Sequence, residues 1–211
     1  MDKQRLHLLP GNAIRQERGR RSYDALIATG FKLLEKRTFE SITVAEVASI
    51  AGYSVGAFYA RFRSKDEFFD ALLADHLRHR KETRERLLRT LSNDELIHGF
   101  MDDLVAYYWT RRWFWRAALI RSIRDPKPLR GQADEVANAL TVQIDRRRGR
   151  SLTREQKRNL RHALQIALGA VNNMVIYNAR PAVRGRRRFV ADLVRTFRLI
   201  SDYETLLVPR S

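Results

Sequence analysis

The chain contains no cysteine, and only 5 prolines and 10 glycines occur among its 211 residues. The absence of cysteine excludes disulfide bonds and thiolate metal sites. No uninterrupted apolar run approaches the roughly 18 residues that a membrane span requires. Residues 1–11 also lack the long apolar region of a secretory signal. We therefore expect a soluble, cytoplasmic protein with no membrane partner.

Positive charge is abundant: 41 Lys and Arg residues stand against 24 Asp and Glu, a net charge of +17. Such an excess favours a polyanionic partner, and nucleic acid is the commonest one. Basic residues concentrate in residues 1–21, in residues 144–161 and at Arg184, Arg186, Arg187 and Arg188. The N-terminal cluster favours DNA. For the other two clusters, a solvated surface that keeps the protein soluble is the alternative.

Apolar residues recur at helical spacing along the chain, and no segment alternates as a half-buried strand would. Four segments, which begin at Thr43, Ser64, Ser92 and Thr153, match the capping-box pattern of a helix start. The predicted helices are 22–37, 44–51, 55–61, 65–90, 94–109, 112–124, 130–148, 154–178 and 187–206. The sequence therefore predicts an all-α protein, in which three short N-terminal helices precede a helical bundle.

The most informative segment runs from Thr43 to Phe62. Its apolar residues form one face that is split by a turn at Gly52, where glycine permits a positive φ. Small residues, Ala48 and Ala51, allow two helices to cross closely, and Ser54 is placed to cap the second helix. These features predict a helix-turn-helix, whose second helix enters the major groove of DNA.

Residues 20–80 resemble the TetR family of transcriptional regulators (TetR/AcrR-like). The resemblance is carried by the following motifs: Ala25-Leu26-Ile27, Leu34-Glu35-Lys36-Arg37, Phe39-Glu40-Ser41-Ile42-Thr43-Val44, Ile50-Ala51-Gly52, Phe58-Tyr59 and Phe62-Arg63-Ser64-Lys65-Asp66-Glu67. It implies a DNA-binding domain at 20–66 with the helix-turn-helix at 43–62, and an effector-binding and dimerisation domain at 67–211. The residues before them, 1–19, form a basic N-terminal arm by their charge. The resemblance also implies a homodimer that binds a double-stranded operator, commonly a repressor that a small-molecule effector releases. The sequence does not show whether regulation is positive or negative.

The same resemblance implies the residues that contact DNA. Thr43, Ser54, Tyr59 and Lys65 are expected to bind phosphates, and Tyr53, Val55, Gly56 and Arg61 to lie at or beside the groove. Val55 and Ala60 stand where the family often has Lys and Arg, so the second helix is poor in donors. Arg61 and Tyr53 are then the main polar candidates, and Arg61 suits either a guanine or a phosphate.

The helix-turn-helix region itself is nearly neutral, because residues 22–63 contain five basic and four acidic side chains. We therefore expect the basic arm to supply part of the affinity for DNA, through phosphates or the minor groove. The candidate residues of this arm are Arg15, Arg18, Arg20 and Arg21.

The rest of the chain offers two further sets of candidates. The resemblance implies an effector pocket, which we expect among an aromatic concentration and nearby polar groups, namely Phe100, Leu104, Tyr107, Tyr108, Trp113 and Asn172. The alternative is that these aromatic residues are simply core. By the resemblance, the last two helices form the dimer interface, with Leu164, Leu168, Val171, Phe189, Leu193, Phe197 and Ile200; the alternative is that they face the chain's own core. The expected effector is hydrophobic or aromatic, with a weaker argument for an acidic one.

Enzymatic motifs are lacking, since the sequence contains no glycine-rich phosphate loop, nucleophile elbow or HExxH motif. His76 and His79 share one face of a helix but have no companion ligand pattern, and an exposed surface is the expected environment. We therefore expect no catalytic residue, no metal site and no cofactor. The rival hypothesis is an architectural or ligand-independent basic DNA-binding protein.

Overall fold

The structure, a computed structural model, describes residues 11–177, 185–203 and 206. Within these residues the chain is helical and contains no β-strand, which confirms the all-α prediction. The helices are α1 (Gly11–Leu34), α2 (Val44–Ile50), α3 (Val55–Tyr59), α4 (Lys65–Thr90), α5 (Leu96–Thr110), α6 (Arg112–Arg124), α7 (Gln132–Arg148), α8 (Arg154–Ile176) and α9 (Arg186–Ser201). The chain divides into two compact units, Met1–His76 and Leu77–Ser211.

An aromatic cluster forms the core of the N-terminal unit. Phe58, Phe62 and Phe68 are fully buried, and their ring centroids lie 5.0–5.2 Å apart. Helix α1 lies against this cluster at Gly30, where a Cβ atom would stand only 2.6 Å from Cζ of Phe68. Glycine at this position therefore permits a close approach that any other residue would obstruct. The core fixes α1, α3 and the start of α4 in one unit.

The C-terminal unit is built around α8. Helix α8 packs against α9 most extensively, and α5, α6 and α7 also contact it. Each of the two helices buries one apolar stripe in the core of the unit: Leu160, Ala163, Leu164, Ala167 and Val171 from α8, and Val190, Leu193 and Phe197 from α9. A capping box starts α8, because the Thr153 hydroxyl accepts from the amide of Gln156 and the Gln156 side chain accepts from the amide of Thr153.

The predicted bounds of α4 and α6 are confirmed to the residue, but the predicted start of α1 is wrong. Helix α1 begins at Gly11 instead of residue 22, so residues 11–19 of the expected arm are helical. Ion pairs one turn apart, from Arg20 and Arg21 to Glu17, support this extension. At the other end, α9 stops at Ser201, where Asp202 takes a left-handed conformation with φ 50°. Residues 1–10 of the arm and Arg184 lie outside the described residues.

Candidate nucleic-acid interface

Local hydrogen bonds set the geometry of α2, the turn and α3. The hydroxyls of Thr43 and Ser54 accept from the amides of Glu46 and Ala57 at 3.2 and 3.1 Å, so both residues cap the helices that follow them. Gly52 has a φ of 78°, and the amide of Tyr53 donates to the carbonyl of Ala48 at 2.9 Å. These contacts confirm the predicted caps and the glycine turn. The carboxylate of Glu46 pairs with Arg37 instead of completing a capping box.

Helix α3 has one buried and one exposed face. Phe58 anchors the buried face, whereas the opposite side carries a set that we call the recognition surface: Val55, Gly56 and Tyr59. Tyr59 is 52% exposed. A Cβ atom on Gly56 would meet only the Ser54 hydroxyl oxygen, at 3.7 Å, so space above α3 is open. Within α3 the only side chain that can hydrogen-bond is the Tyr59 phenol.

Arg61 lies beyond the end of α3 and is attached to α1. Its Nε donates to the hydroxyl of Ser22 at 3.1 Å, and that hydroxyl donates to the carbonyl of Gly19 at 2.9 Å. Gly19 is buried beneath the guanidinium, because a Cβ atom there would lie 2.9 Å from Nη2 of Arg61. Sequence reasoning missed Ser22 and Gly19. The available signal was a pair of small residues inside an arginine-rich segment.

Three other basic candidates, Lys65, Arg20 and Arg21, have partners within the N-terminal unit. Nζ of Lys65 donates to the carbonyl of Glu40 at 3.2 Å and lies 4.6 Å from the centroid of the Phe39 ring. Partial burial lowers the pKa of Lys65. Arg20 and Arg21 both bind the carboxylate of Glu17, and these hydrogen bonds, the one from Arg20 foremost, lower the pKa of Glu17. Tyr53 is half-buried, and Thr43 and Ser54 are exposed.

The effector candidates lie in the C-terminal unit and are only partly brought together. Phe100, Leu104 and Tyr108 line a cavity of about 20 Å³, whereas Tyr107, Trp113 and Asn172 do not. The Tyr108 ring stacks on Trp115 with centroids 4.6 Å apart, and burial raises the pKa of Tyr108 to about 12. The Tyr107 ring instead lies 4.0 Å from the guanidinium of Arg80.

Two arginines of α4, Arg80 and Arg84, also line this cavity, and sequence reasoning missed them. Arg80 pairs with Asp103, and Arg84 pairs with Glu135 at 3.3 Å. The signal in the sequence was their spacing of four residues on a predicted helix. Basic residues on a helix are usually solvated, so this spacing alone did not distinguish them from their neighbours.

The dimer candidates divide between core and partly exposed positions. Leu164, Val171, Leu193 and Phe197 are buried within the chain's own unit, so a partner cannot contact them directly. We therefore correct the prediction that these four residues form a dimer interface. They belong to the apolar stripes that α8 and α9 bury in the core of the unit. Leu168, Phe189 and Ile200 are half-buried. The solvent-facing sides of the two helices instead carry Ile166, Gly169 and Leu199.

His76 also departs from expectation. It is buried, with its ring centroid 6.0 Å from that of Phe31, whereas His79 is exposed. The expectation that both histidines lie on an exposed surface is therefore wrong for His76. His76 is buried because the part of α4 that belongs to the N-terminal unit packs against α1.

A capped α2, a glycine turn and an α3 anchored by aromatic residues define a helix-turn-helix protein. Residues 26–72 match the family model described as bacterial regulatory proteins, tetR family. Residues 26–72 are thus similar to the N-terminal domain of that family. A curated relative, the uncharacterized HTH-type transcriptional regulator YwcC of Bacillus subtilis (strain 168), is 30% identical over 94 residues. That alignment covers 41% of this chain and 42% of the relative, so this chain matches less than half of the relative's length.

Solved structures share the fold over most of the chain. A candidate TetR-family regulator from Mesorhizobium loti MAFF303099 aligns with a TM-score of 0.67 at 15% identity, covering 88% of this chain and 96% of its own. A TetR-family regulator from Streptomyces coelicolor aligns with a TM-score of 0.65 at 19% identity, covering 86% and 83%. At these identities the likeness establishes the fold. In the described residues, no helix is long and apolar enough to cross a membrane.

Proposed function

We propose that the chain is a sequence-specific DNA-binding transcriptional regulator, a repressor that leaves its operator when a small-molecule effector binds. The observation that carries the proposal is the exposed recognition surface on an α3 whose opposite face is fixed by Phe58. A rigid helix with one free face suits insertion into the major groove. The match of residues 26–72 to a family of bacterial regulatory proteins supports the same function.

In this proposal, DNA shape and apolar contacts contribute much of the sequence recognition, because α3 holds a single hydrogen-bonding side chain. Tyr59 is placed to bind a phosphate or a base edge, and Val55 to contact a thymine methyl group. The domain is positioned on the DNA backbone by Thr43, Ser54 and Lys65. The same unit also holds the candidates Tyr53, Arg20 and Arg21. Phosphate contacts of this kind fix orientation, while base contacts specify sequence.

Arg61 is proposed to bind a phosphate, because its guanidinium is tied to Ser22 on α1 instead of projecting along α3. Arg61→Ala is expected to weaken binding at least about tenfold on all sequences alike, since a charge-assisted hydrogen bond contributes roughly 1.5–3 kcal/mol. The slope of log affinity against log salt should become shallower by about 0.9, the value for one phosphate contact. Fluorescence anisotropy titrations at several salt concentrations measure both quantities.

Lys36→Ala is the matched control for this experiment, because it removes one exposed positive charge from the same unit, just after the end of α1. It should leave the salt slope of wild type nearly unchanged. A loss of discrimination at one base pair in the Arg61→Ala chain, with an unaltered slope, would instead make Arg61 a base reader.

The proposed homodimer pairs the solvent-facing sides of α8 and α9. An operator with two half-sites one turn of DNA apart requires two α3 helices about 34 Å apart, which a two-fold dimer can supply. Ile166 and Leu199 are exposed on these helices, and a Cβ atom on Gly169 would meet no atom within 4 Å. An open glycine on a helix face permits a second helix to approach closely.

Gly169→Glu is therefore expected to raise the dimer dissociation constant at least about tenfold, the effect of a loss of roughly 1.4 kcal/mol, without lowering the stability of the monomer. Sedimentation velocity over a concentration series measures the association. Ile123→Glu adds the same charge at an exposed position on α6 and should leave association unchanged. Equal association of all three chains would place the interface elsewhere.

Effector release requires that the effector prefer a conformation that fits DNA poorly, because a ligand shifts an equilibrium only by its differential affinity. The cavity beside Phe100, Leu104 and Tyr108 is the proposed location. It holds space for about one water molecule in this structure. Effector binding would therefore enlarge it. Tyr107, Trp113 and Asn172 lie outside its lining and would join it only on enlargement.

The function is tested by selection from a randomised DNA pool at about 150 mM salt, where non-specific phosphate binding is weakened. Enrichment of a two-fold palindrome supports a dimeric regulator. Recovery without sequence preference favours the rival, a general DNA-binding protein. One observation supports the rival: residues 77–211 hold 29 of the 41 basic and 14 of the 24 acidic residues, so most of the net positive charge lies outside the helix-turn-helix unit.

A further inference from the structure

Two like charges are buried together beside the cavity. Arg80 and Arg84 lie one turn apart on α4 and are 8% and 5% exposed. Removing a charge from water is costly unless partners compensate for the lost hydration. Arg80 is compensated by Asp103 and by the Tyr107 ring. Arg84 relies on Glu135, which is itself only partly buried.

Arg84 is incompletely satisfied. Its Nε atom is buried and makes no hydrogen bond, and its Nη2 contacts Oε1 of Glu135 at 3.3 Å. Charge-assisted bonds are usually shorter, about 2.7–2.9 Å. Glu135 also faces Lys81 at 3.7 Å. Burial, followed by the smaller effect of nearby Arg80, lowers the pKa of Arg84, while Glu135 opposes the shift. The guanidinium edge therefore has the capacity to bind a further anionic oxygen.

The Arg84–Glu135 pair lies between two spaces. On one side is the cavity of about 20 Å³; on the other is an open groove of about 310 Å³ between α4 and α7. Arg84 and Glu135 line both. The groove volume falls at the lower end of ligand sites, about 300–1,000 Å³. Its lining combines apolar Leu88, Ala139 and Val142 with four cationic and two acidic side chains: Lys81, Arg84, Arg89, Arg146, Glu85 and Glu135.

We propose that the groove and the cavity are two parts of one effector site, closed by the Arg84–Glu135 ion pair, and that the effector is a small carboxylic acid with an apolar body. The effector's carboxylate replaces that of Glu135 on Arg84, and its apolar body lies between Leu88 on the groove side and Phe100 on the cavity side. The regulatory meaning of this site rests on the proposed function; the binding chemistry does not.

The chemistry of the site favours a carboxylate. A guanidinium presents two parallel N–H donors in the plane that a carboxylate accepts, and Nε of Arg84 is one of them. The phenol of Tyr108, which also lines the cavity, is protonated at neutral pH, and burial raises its pKa further, to about 12. The phenol is thus a donor to an incoming anion and does not repel it.

The two partners of the ion pair provide a test with opposite expected signs. Octanoate and 2-naphthoate, with octanamide and 2-naphthamide as neutral matches, are titrated calorimetrically into the full-length chain at neutral pH. Arg84→Met should weaken acid binding at least about tenfold, because it removes the anion's partner. Glu135→Gln should tighten acid binding about threefold or more, because it removes the competing carboxylate. Arg86→Met removes an exposed charge on α4 that lines neither the groove nor the cavity, and should alter affinity less than twofold.

A purely structural ion pair would move both variants in the same direction. That result, equal binding of acids and amides, or no saturable binding of either acid would each overturn the proposal. Circular dichroism confirms folding, and Glu135→Gln keeps the test decisive should Arg84→Met fail to fold. Binding of the selected DNA is followed in parallel. If the acids bind without changing the affinity for DNA, the proposed release from the operator is contradicted but the proposed binding site is not. If a palindrome is selected but neither acid binds, the proposed binding site is contradicted but the proposed function is not.

Discussion

Gly56→Glu is expected to fold as wild type does and to bind the selected DNA at least about a hundredfold more weakly. Gly56 is exposed in the first turn of α3, and an added Cβ meets only the Ser54 hydroxyl oxygen at 3.7 Å. A carboxylate in the first turn of a helix is compatible with the helix dipole, so the fold tolerates it. Against DNA, the same carboxylate faces phosphates, and a like-charge contact costs several kcal/mol.

Gly56→Ala is the matched control, because it adds the Cβ atom without the charge. Its affinity should stay within about threefold of wild type, and its thermal stability should rise slightly, since alanine exceeds glycine in helix propensity by roughly 1 kcal/mol. Anisotropy titrations and thermal denaturation measure the two properties. A Gly56→Glu chain that binds DNA normally would remove α3 from the interface.

Phe58→Ala is expected to produce the largest loss of stability, about 3–5 kcal/mol, as found for buried aromatic residues truncated to alanine. Phe58 is fully buried, and its ring contacts those of Phe62 and Phe68 at 5.2 Å. Truncation opens a cavity between α3 and the start of α4, beside Phe62 and Phe68. The helix would lose its anchor, so DNA affinity should fall together with stability.

Urea denaturation followed by far-ultraviolet circular dichroism measures this loss in the free energy of unfolding. Ile50→Ala truncates an apolar side chain that is 52% exposed on α2, and should change stability by no more than about 0.5 kcal/mol. A Phe58→Ala chain as stable as the Ile50→Ala chain would show that the aromatic cluster does not hold the N-terminal unit together.

Features that depend on neighbours in sequence were predictable. Thr43 and Ser54 cap their helices through an amide three residues away, and Gly52 takes its positive φ within a single turn. Each of these choices is decided locally, so the helix-turn-helix followed from residue types at fixed spacing. The family resemblance added the expected orientation of α3, and the roles of the DNA-binding residues remain predictions.

Features that depend on tertiary packing were not predictable. The same arginine type is exposed at Arg89 and buried at Arg84, one turn and one residue apart on α4, because only Arg84 also lines the cavity that residues of α5 enclose. Likewise, the apolar stripes of α8 and α9 can be recognised in the sequence, but the sequence does not show whether the chain's own core or a second chain covers them. The structure shows that Leu164 and Phe197 are covered by the chain's own core. Spacing gives a face, but not its neighbour.

The central claim is that α3 distinguishes DNA sequences, and the most direct test compares discrimination in two chains. Wild type and Gly56→Glu are each titrated with the selected duplex and with a scrambled duplex of equal length and composition at about 150 mM salt. We predict that wild type binds the selected duplex at least about a thousandfold more tightly than the scrambled one, and that Gly56→Glu binds both equally weakly. A Gly56→Glu chain that keeps the wild-type ratio would contradict the claim.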